Sequence, residues 1–93
     1  MKKLQLELYT RPTCSDCQEA KVFLANNNIS YIDYDLTQQP LKEKELIKLS
    51  GARMVPTFVF KNNSLLGLAS KLTVMIGFEQ NLDEVKRLLM INN

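Results

Sequence analysis

The chain has no histidine and no tryptophan, and only two cysteines, three glycines and three prolines in 93 residues. Without histidine or a second cysteine pair, one copy cannot supply the four ligands of a structural zinc site. No apolar run approaches the ~18 residues of a membrane-spanning helix. Neither sign of charge dominates. Twelve Lys and Arg against ten Asp and Glu leave a net +2, with no basic stripe interleaved with aromatics, so a nucleic-acid partner is not expected. There is no repeat, low-complexity tract or linker. With 45% hydrophobic residues, the composition fits one domain over residues 1–93 with a modest core. The opening MKKLQLELYT runs from basic to apolar as a secretory signal does, but Gln5 and Glu7 interrupt it. It reads as a strand. The expected setting is cytoplasmic, where a close thiol pair is more often catalytic than structural.

What is present is organised by two periods. Leu4, Leu6 and Leu8 alternate with polar residues and predict a first strand. The RPTCS segment breaks it, because Pro12 disfavours helix at Arg11. From Ser15 the spacing turns helical, through Cys17, Ala20 and Leu24. Ser15 and Asp16 suit the free N–H groups and the dipole of a helix start. ISYIDYDL, residues 29–36, predicts a second strand. A helix follows Pro40 and stops at Gly51. Thr57–Lys61 reads as a third strand, Asn62–Asn63 as a turn, and Leu72–Phe78 as a fourth strand. A last helix is capped by Asn81, with Glu84 in capping-box spacing. The order is β-α-β-α-β-β-α, a four-stranded mixed sheet with helices on both faces. Gln5 and Glu7 suggest that one face is only partly covered. Residues 62–71, NNSLLGLASK, are longer than a tight hairpin needs. They read either as a longer hairpin or, from the spacing of Leu65, Leu68 and Leu72, as an apolar lip beside the active site.

Cys14 and Cys17 lie between the first strand and the first helix. At i, i+3 on a helical turn their Cα atoms are about 5 Å apart, within reach of a disulfide. Cys14 falls where free N–H groups and the helix dipole favour a thiolate. Cys17 falls one turn in, on the apolar side. That asymmetry suits a nucleophile and a resolving thiol. Two other readings stand beside it: two small core residues, or thiolates shared between subunits on an iron–sulfur cluster.

LYTRPTCSDCQEAKVFL, YIDYDLTQQP, LIKLSGARMVPTFVF and IGFEQNLDEVKRLL together resemble the glutaredoxin family, with its thioredoxin-type fold, along nearly the whole chain. The resemblance implies a small thiol–disulfide oxidoreductase with Cys14 attacking and Cys17 resolving. It implies a cis Val55–Pro56 bond against the cysteine pair, with Val55 backbone pairing to a bound thiol substrate. It places Arg11, Thr13, Val55, Pro56 and Gly77 at that substrate. Arg11 would meet a glutathione carboxylate or the Cys14 thiolate, unless it is only a solvated surface arginine. The implied partners are disulfide-containing proteins, for a monomer with no bound cofactor. Electrons would come from glutathione or from thioredoxin reductase, with NADPH behind either. The alternative that the family allows is a dimeric iron–sulfur module using Cys14 with glutathione.

Two departures bear on the donor. Family members commonly carry Pro and Tyr between the cysteines, where this chain has Ser15 and Asp16. Asp16 adds negative charge near Cys14, which opposes the thiolate and implies a reductant rather than an oxidant. Glutathione-using members typically show Gly-Gly near the end of the last strand, where this chain has Gly77 followed by Phe78. The branch served by thioredoxin reductase is the other match. The absence of tryptophan before the cysteines sets the chain apart from thioredoxin proper.

Overall fold

A computed structural model of the chain describes residues 3–63 and 70–91. Strand β1 spans Lys3–Thr10, helix α1 Ser15–Asn26, strand β2 Ile32–Asp35 and helix α2 Lys42–Ser50. Strand β3 spans Thr57–Asn63 and strand β4 Ser70–Ile76. A 3-10 turn over Glu79–Asn81 leads into helix α3, Leu82–Leu89. The sheet order is β2-β1-β3-β4. β2 is parallel to β1, while β3 is antiparallel to both β1 and β4. This is the mixed α/β arrangement that the order of periods predicts.

Alternation along β1 and β3 sorts the core into two layers. Leu6 and Leu8 face the same side as Phe58 and Phe60, and there meet Ala20 and Leu24 of α1 and Val85 of α3. Tyr9 and Val59 face the other side and meet Leu46 of α2. Both central strands are therefore apolar on two faces over most of their length, as buried strands must be. Where α2 runs out, the face turns polar. Gln5 is exposed, and Glu7, only 7% exposed, is paired with Lys61 Nζ at 2.9 Å. The polar positions of the first strand thus mark the partly covered face.

Several boundaries differ from the pattern reading. β2 begins at Ile32 rather than Ile29, because Ile29 is held in the turn that follows α1, its N–H bonded to Leu24 O at 2.9 Å. Asn62 and Asn63 are not a turn; they pair with Lys71 and Ser70 and extend the β3–β4 hairpin. Residues 64–69 of the 62–71 segment lie outside the described residues. Thr57 lies at the site end of β3, and Asn63 is six residues further, roughly 20 Å at strand rise. The apolar lip expected of Leu65 and Leu68 falls on residues outside those described. β4 stops at Ile76, ahead of the expected Phe78, because Gly77 turns left-handed at φ +96°. The capping box at α3 is not formed either. Asn81 Nδ2 donates instead to Ile76 O at 2.7 Å and Gly77 O at 3.0 Å, and Glu84 pairs with Arg87.

Beneath α2, the Tyr9 ring lies 5.0 Å from that of Tyr34, and Lys42 Nζ sits 4.2 Å above the Tyr34 ring. The Tyr9 hydroxyl is buried with no hydrogen-bond partner among the described residues. Desolvation, reinforced by Glu45 and Glu7, pushes its pKa up to about 12 from 10.0. The folded chain therefore holds this proton more tightly than the unfolded chain does. Stability is intact below pH 10 and falls as the pH rises toward 12. Urea titrations across this range should show that loss in the wild type and less of it in Tyr9→Phe. At neutral pH, Tyr9→Phe should gain about 1 kcal/mol, since it removes an unpaired buried hydroxyl. A loss of stability in Tyr9→Phe at neutral pH would contradict this account of the hydroxyl.

Candidate active site

The site is built where the ends of β1 and β3 meet. The last β1–β3 pair sets Tyr9 opposite Thr57, so the residues after β1 and before β3 lie side by side. The chain leaves β1 through a turn closed by Cys14 N–H on Arg11 O at 3.2 Å. Cys14 is then the N-cap of α1, in extended conformation, and its sulfur accepts the N–H of Cys17 at 3.1 Å. The sulfur does what Ser15 and Asp16 were expected to do for the helix start. Cys14 and Cys17 form a disulfide with a Cα–Cα separation of 5.2 Å. Cys17 is fully buried on the α1 side of the core, while Cys14 is only half-buried. In the dithiol state, the Cys17 N–H and the N-terminus of α1 favour negative charge on Cys14.

Val55 and Pro56 approach from before β3. Their peptide bond is cis, Pro56 is buried, and the Val55 carbonyl oxygen lies 3.7 Å from Cys14 Sγ across 41 residues of sequence. Gly77 closes the far side, its N–H donating to Pro56 O at 2.7 Å. The structure thus brings Cys14, Cys17, Val55, Pro56 and Gly77 together. Thr13 is exposed in the turn before Cys14. Arg11 is engaged elsewhere: its guanidinium pairs with Glu43 of α2 at 2.7 Å, half-exposed on both sides. It is neither a free anion receptor nor simply a solvated arginine.

Pattern reading missed the role of Asp16. Its carboxylate accepts the N–H of Phe78 at 2.8 Å and of Glu79 at 3.2 Å, more than 60 residues away. The Phe78 ring points the other way, into the core, 5.3 Å from Phe23 and 6.1 Å from Phe58. The two departures noted in the sequence are therefore one contact. Nothing local signals it, since an early-helix aspartate is ordinary in its own right. Beside the cysteines this contact walls a groove of about 470 Å³, lined by Asp16 and Glu19 of α1, Met54, Val55, Gly77 and Glu79 among others. Met54, 61% exposed, is the most exposed apolar group of that lining.

The profile of the Glutaredoxin family matches residues 6–65. Glutaredoxin 3 of Escherichia coli (strain K12) is 35% identical over 51 residues, which cover 55% of this chain and 61% of that protein. The chain thus spans less than two thirds of that relative's length. A glutaredoxin-like 8.6 kDa protein of the rubredoxin operon of Clostridium pasteurianum is 27% identical over 62 residues, covering 67% of this chain and 83% of that one. Among solved structures, the thioredoxin-like protein BC3987 superposes with a TM-score of 0.68 at 26% identity, covering 90% of this chain and 99% of that one.

Gly77 makes the turn at the groove wall. A Cβ there would stand 2.6 Å from Gln80 Nε2, on a backbone with φ +96°. Gly77→Ala should therefore cost about 1–2 kcal/mol in chemical denaturation. A change below about 0.5 kcal/mol, the range of ordinary surface substitutions, would mean that the turn is not constrained as described.

Proposed function

The chain belongs to the glutaredoxin family, and from that premise we propose that it is a thiol–disulfide oxidoreductase that reduces disulfides by dithiol exchange. The observation that carries this reading is the unequal pair: a half-buried Cys14 sulfur receiving an N–H, beside a fully buried Cys17. In the reduced form the Cys14 thiolate attacks one sulfur of a substrate disulfide and expels the other as a thiolate. Cys17 gives up its proton to solvent and attacks the Cys14 sulfur. The second substrate thiolate leaves, and Cys14–Cys17 becomes a disulfide. Two electrons pass to the substrate, and an external donor must return two to the protein.

Thr13, Val55, Pro56 and Gly77 are proposed to line the bound substrate, with the Val55 backbone as its strand-like edge. Arg11 would have to leave Glu43 to take part. The donor is either two molecules of glutathione, oxidised to their disulfide, or thioredoxin reductase, with NADPH behind both. The protein is proposed to act as a single-domain monomer in the cytoplasm. Among the described residues, no helix is long and apolar enough to cross a membrane.

Cys14→Ser should reduce turnover to background in an NADPH-coupled assay with a small disulfide as acceptor. Cys17→Ser should accumulate a mixed disulfide at Cys14, visible as a mass increase that dithiothreitol reverses. Full activity in Cys14→Ser would defeat the assignment. Running the coupled assay in parallel with glutathione plus glutathione reductase, and with thioredoxin reductase alone, identifies the donor.

A further inference from the structure

We propose that the outer edge of β4 is an association surface, and that it pairs antiparallel with β4 of a second copy of this chain about a two-fold axis at Thr73. This surface is separate from the cysteine pair and does not depend on the redox reading.

The sheet has two edges, β2 and β4. β2 is four residues long and carries Asp33 and Asp35. Shortness and charge both discourage the addition of another strand. β4 has seven residues, and residues 72–76 within it, LTVMI, contain no charge and no proline. Leu72 is 52% exposed there. A run of this composition on an edge is a template for pairing.

The direction of each backbone group follows from the register. Gly77 N–H donates to Pro56 O at 2.7 Å, so these two form a hydrogen-bonded pair. Such pairs alternate along an antiparallel ladder. Met75, Thr73 and Lys71 therefore bond toward β3, opposite Phe58, Phe60 and Asn62. Leu72, Val74 and Ile76 turn their N–H and C=O groups outward. The Ile76 carbonyl is already met, by Gln80 Nε2 at 2.6 Å and Asn81 Nδ2 at 2.7 Å. Those two amides close the edge beside the cysteine groove. Among the described residues, none bonds to the outward groups of Leu72 and Val74.

A second copy of β4 satisfies these open groups. With the axis at Thr73, Leu72 and the partner's Val74 exchange N–H and C=O bonds, and the Ile76 N–H meets the carbonyl of Ser70 of the partner subunit. The side chains agree with this register. Leu72 stands against the partner's Val74 on one face. On the other, Thr73 stands against the partner's Thr73, and Lys71 falls opposite Met75 of the partner subunit, so no like charges meet. An axis at Lys71 would set lysine against lysine. An axis at Val74 would aim the Leu72 N–H at the Ile76 carbonyl that Gln80 and Asn81 already occupy. A paired edge of this length covers less than the ~1,200–2,000 Å² of a stable interface. The association is therefore weak, with a dissociation constant on the order of 100 μM. The chain is a monomer at the concentrations of a redox assay.

The test is sedimentation equilibrium of the reduced chain from about 10 μM to about 1 mM, with dithiothreitol present so that no intermolecular disulfide contributes. A reversible monomer–dimer equilibrium is expected. Amide hydrogen exchange by NMR at the two ends of this range reads the register. The Leu72, Val74 and Ile76 amides should gain protection at high concentration, while those of Thr73 and Met75, already bonded to β3, should not change. Thr73→Lys and Thr73→Glu should each weaken self-association about tenfold or more, and an equimolar mixture of the two should associate again. Val74→Pro removes an outward N–H without breaking a β3–β4 bond. It should stay monomeric, and it tests the edge independently if the charged variants fold poorly. A wild type that is monomeric at the top concentration, concentration-dependent protection elsewhere than on the β4 edge, or charged variants that do not recover on mixing while Val74→Pro still dimerises, would overturn the proposal.

Discussion

The antiparallel register of β1 on β3, with Tyr9 opposite Thr57, is the constraint on which the rest of the structure depends. It brings the residues that follow one strand beside those that precede the other, and so sets Cys14 against Val55–Pro56. Both strands are buried on two faces, so the register is held twice: Leu6, Leu8, Phe58 and Phe60 in one layer, Tyr9 and Val59 in the other. A slip of one residue would exchange these layers and place Glu7 and Lys61 beneath α1 and α3. The Glu7–Lys61 pair therefore marks the register as well as satisfying a carboxylate that is almost fully buried. The site inherits its precision from this core.

Around that fixed centre, short tethers shape the working surface. Cys14 caps α1 with its own sulfur, so one atom both ends the helix and presents the nucleophile. The Gly77 turn is held three ways: its N–H on Pro56 O, the Asn81 side chain on the carbonyls of Ile76 and Gly77, and Asp16 on the next two N–H groups. Asp16 thus shifts from a charge that opposes the thiolate to a strut whose charge is partly met by backbone donors. Phe78 completes the same strut from within, filling the space between α1 and β3. The resulting groove faces solvent with carboxylates and a methionine.

Most of this architecture is legible in local pattern. Alternation in LQLEL, helical spacing from Ser15, the Gly51 stop and the cysteine spacing each depend on neighbours within a few residues. They mark the sheet, the helices and the redox pair. The cis bond at Val55–Pro56 followed from resemblance and not from residue chemistry. What pattern could not reach are contacts between distant segments. Arg11 with Glu43, Asp16 with Phe78 and Asn81 with the Gly77 turn each replace a local expectation by a tertiary one. The Asn62–Asn63 turn failed for a related reason. Two turn-prone residues were overridden by strand pairing between β3 and β4.

The central claim is that the two cysteines are unequal by position. The most direct measurement is competitive alkylation of the fully reduced protein with limiting iodoacetamide at neutral pH, read by peptide mass spectrometry. Preferential labelling of Cys14, faster than a free thiol, with Cys17 spared until the protein unfolds, is the predicted result. Equal labelling of both cysteines, or a Cys14 slower than a free thiol, would contradict the account.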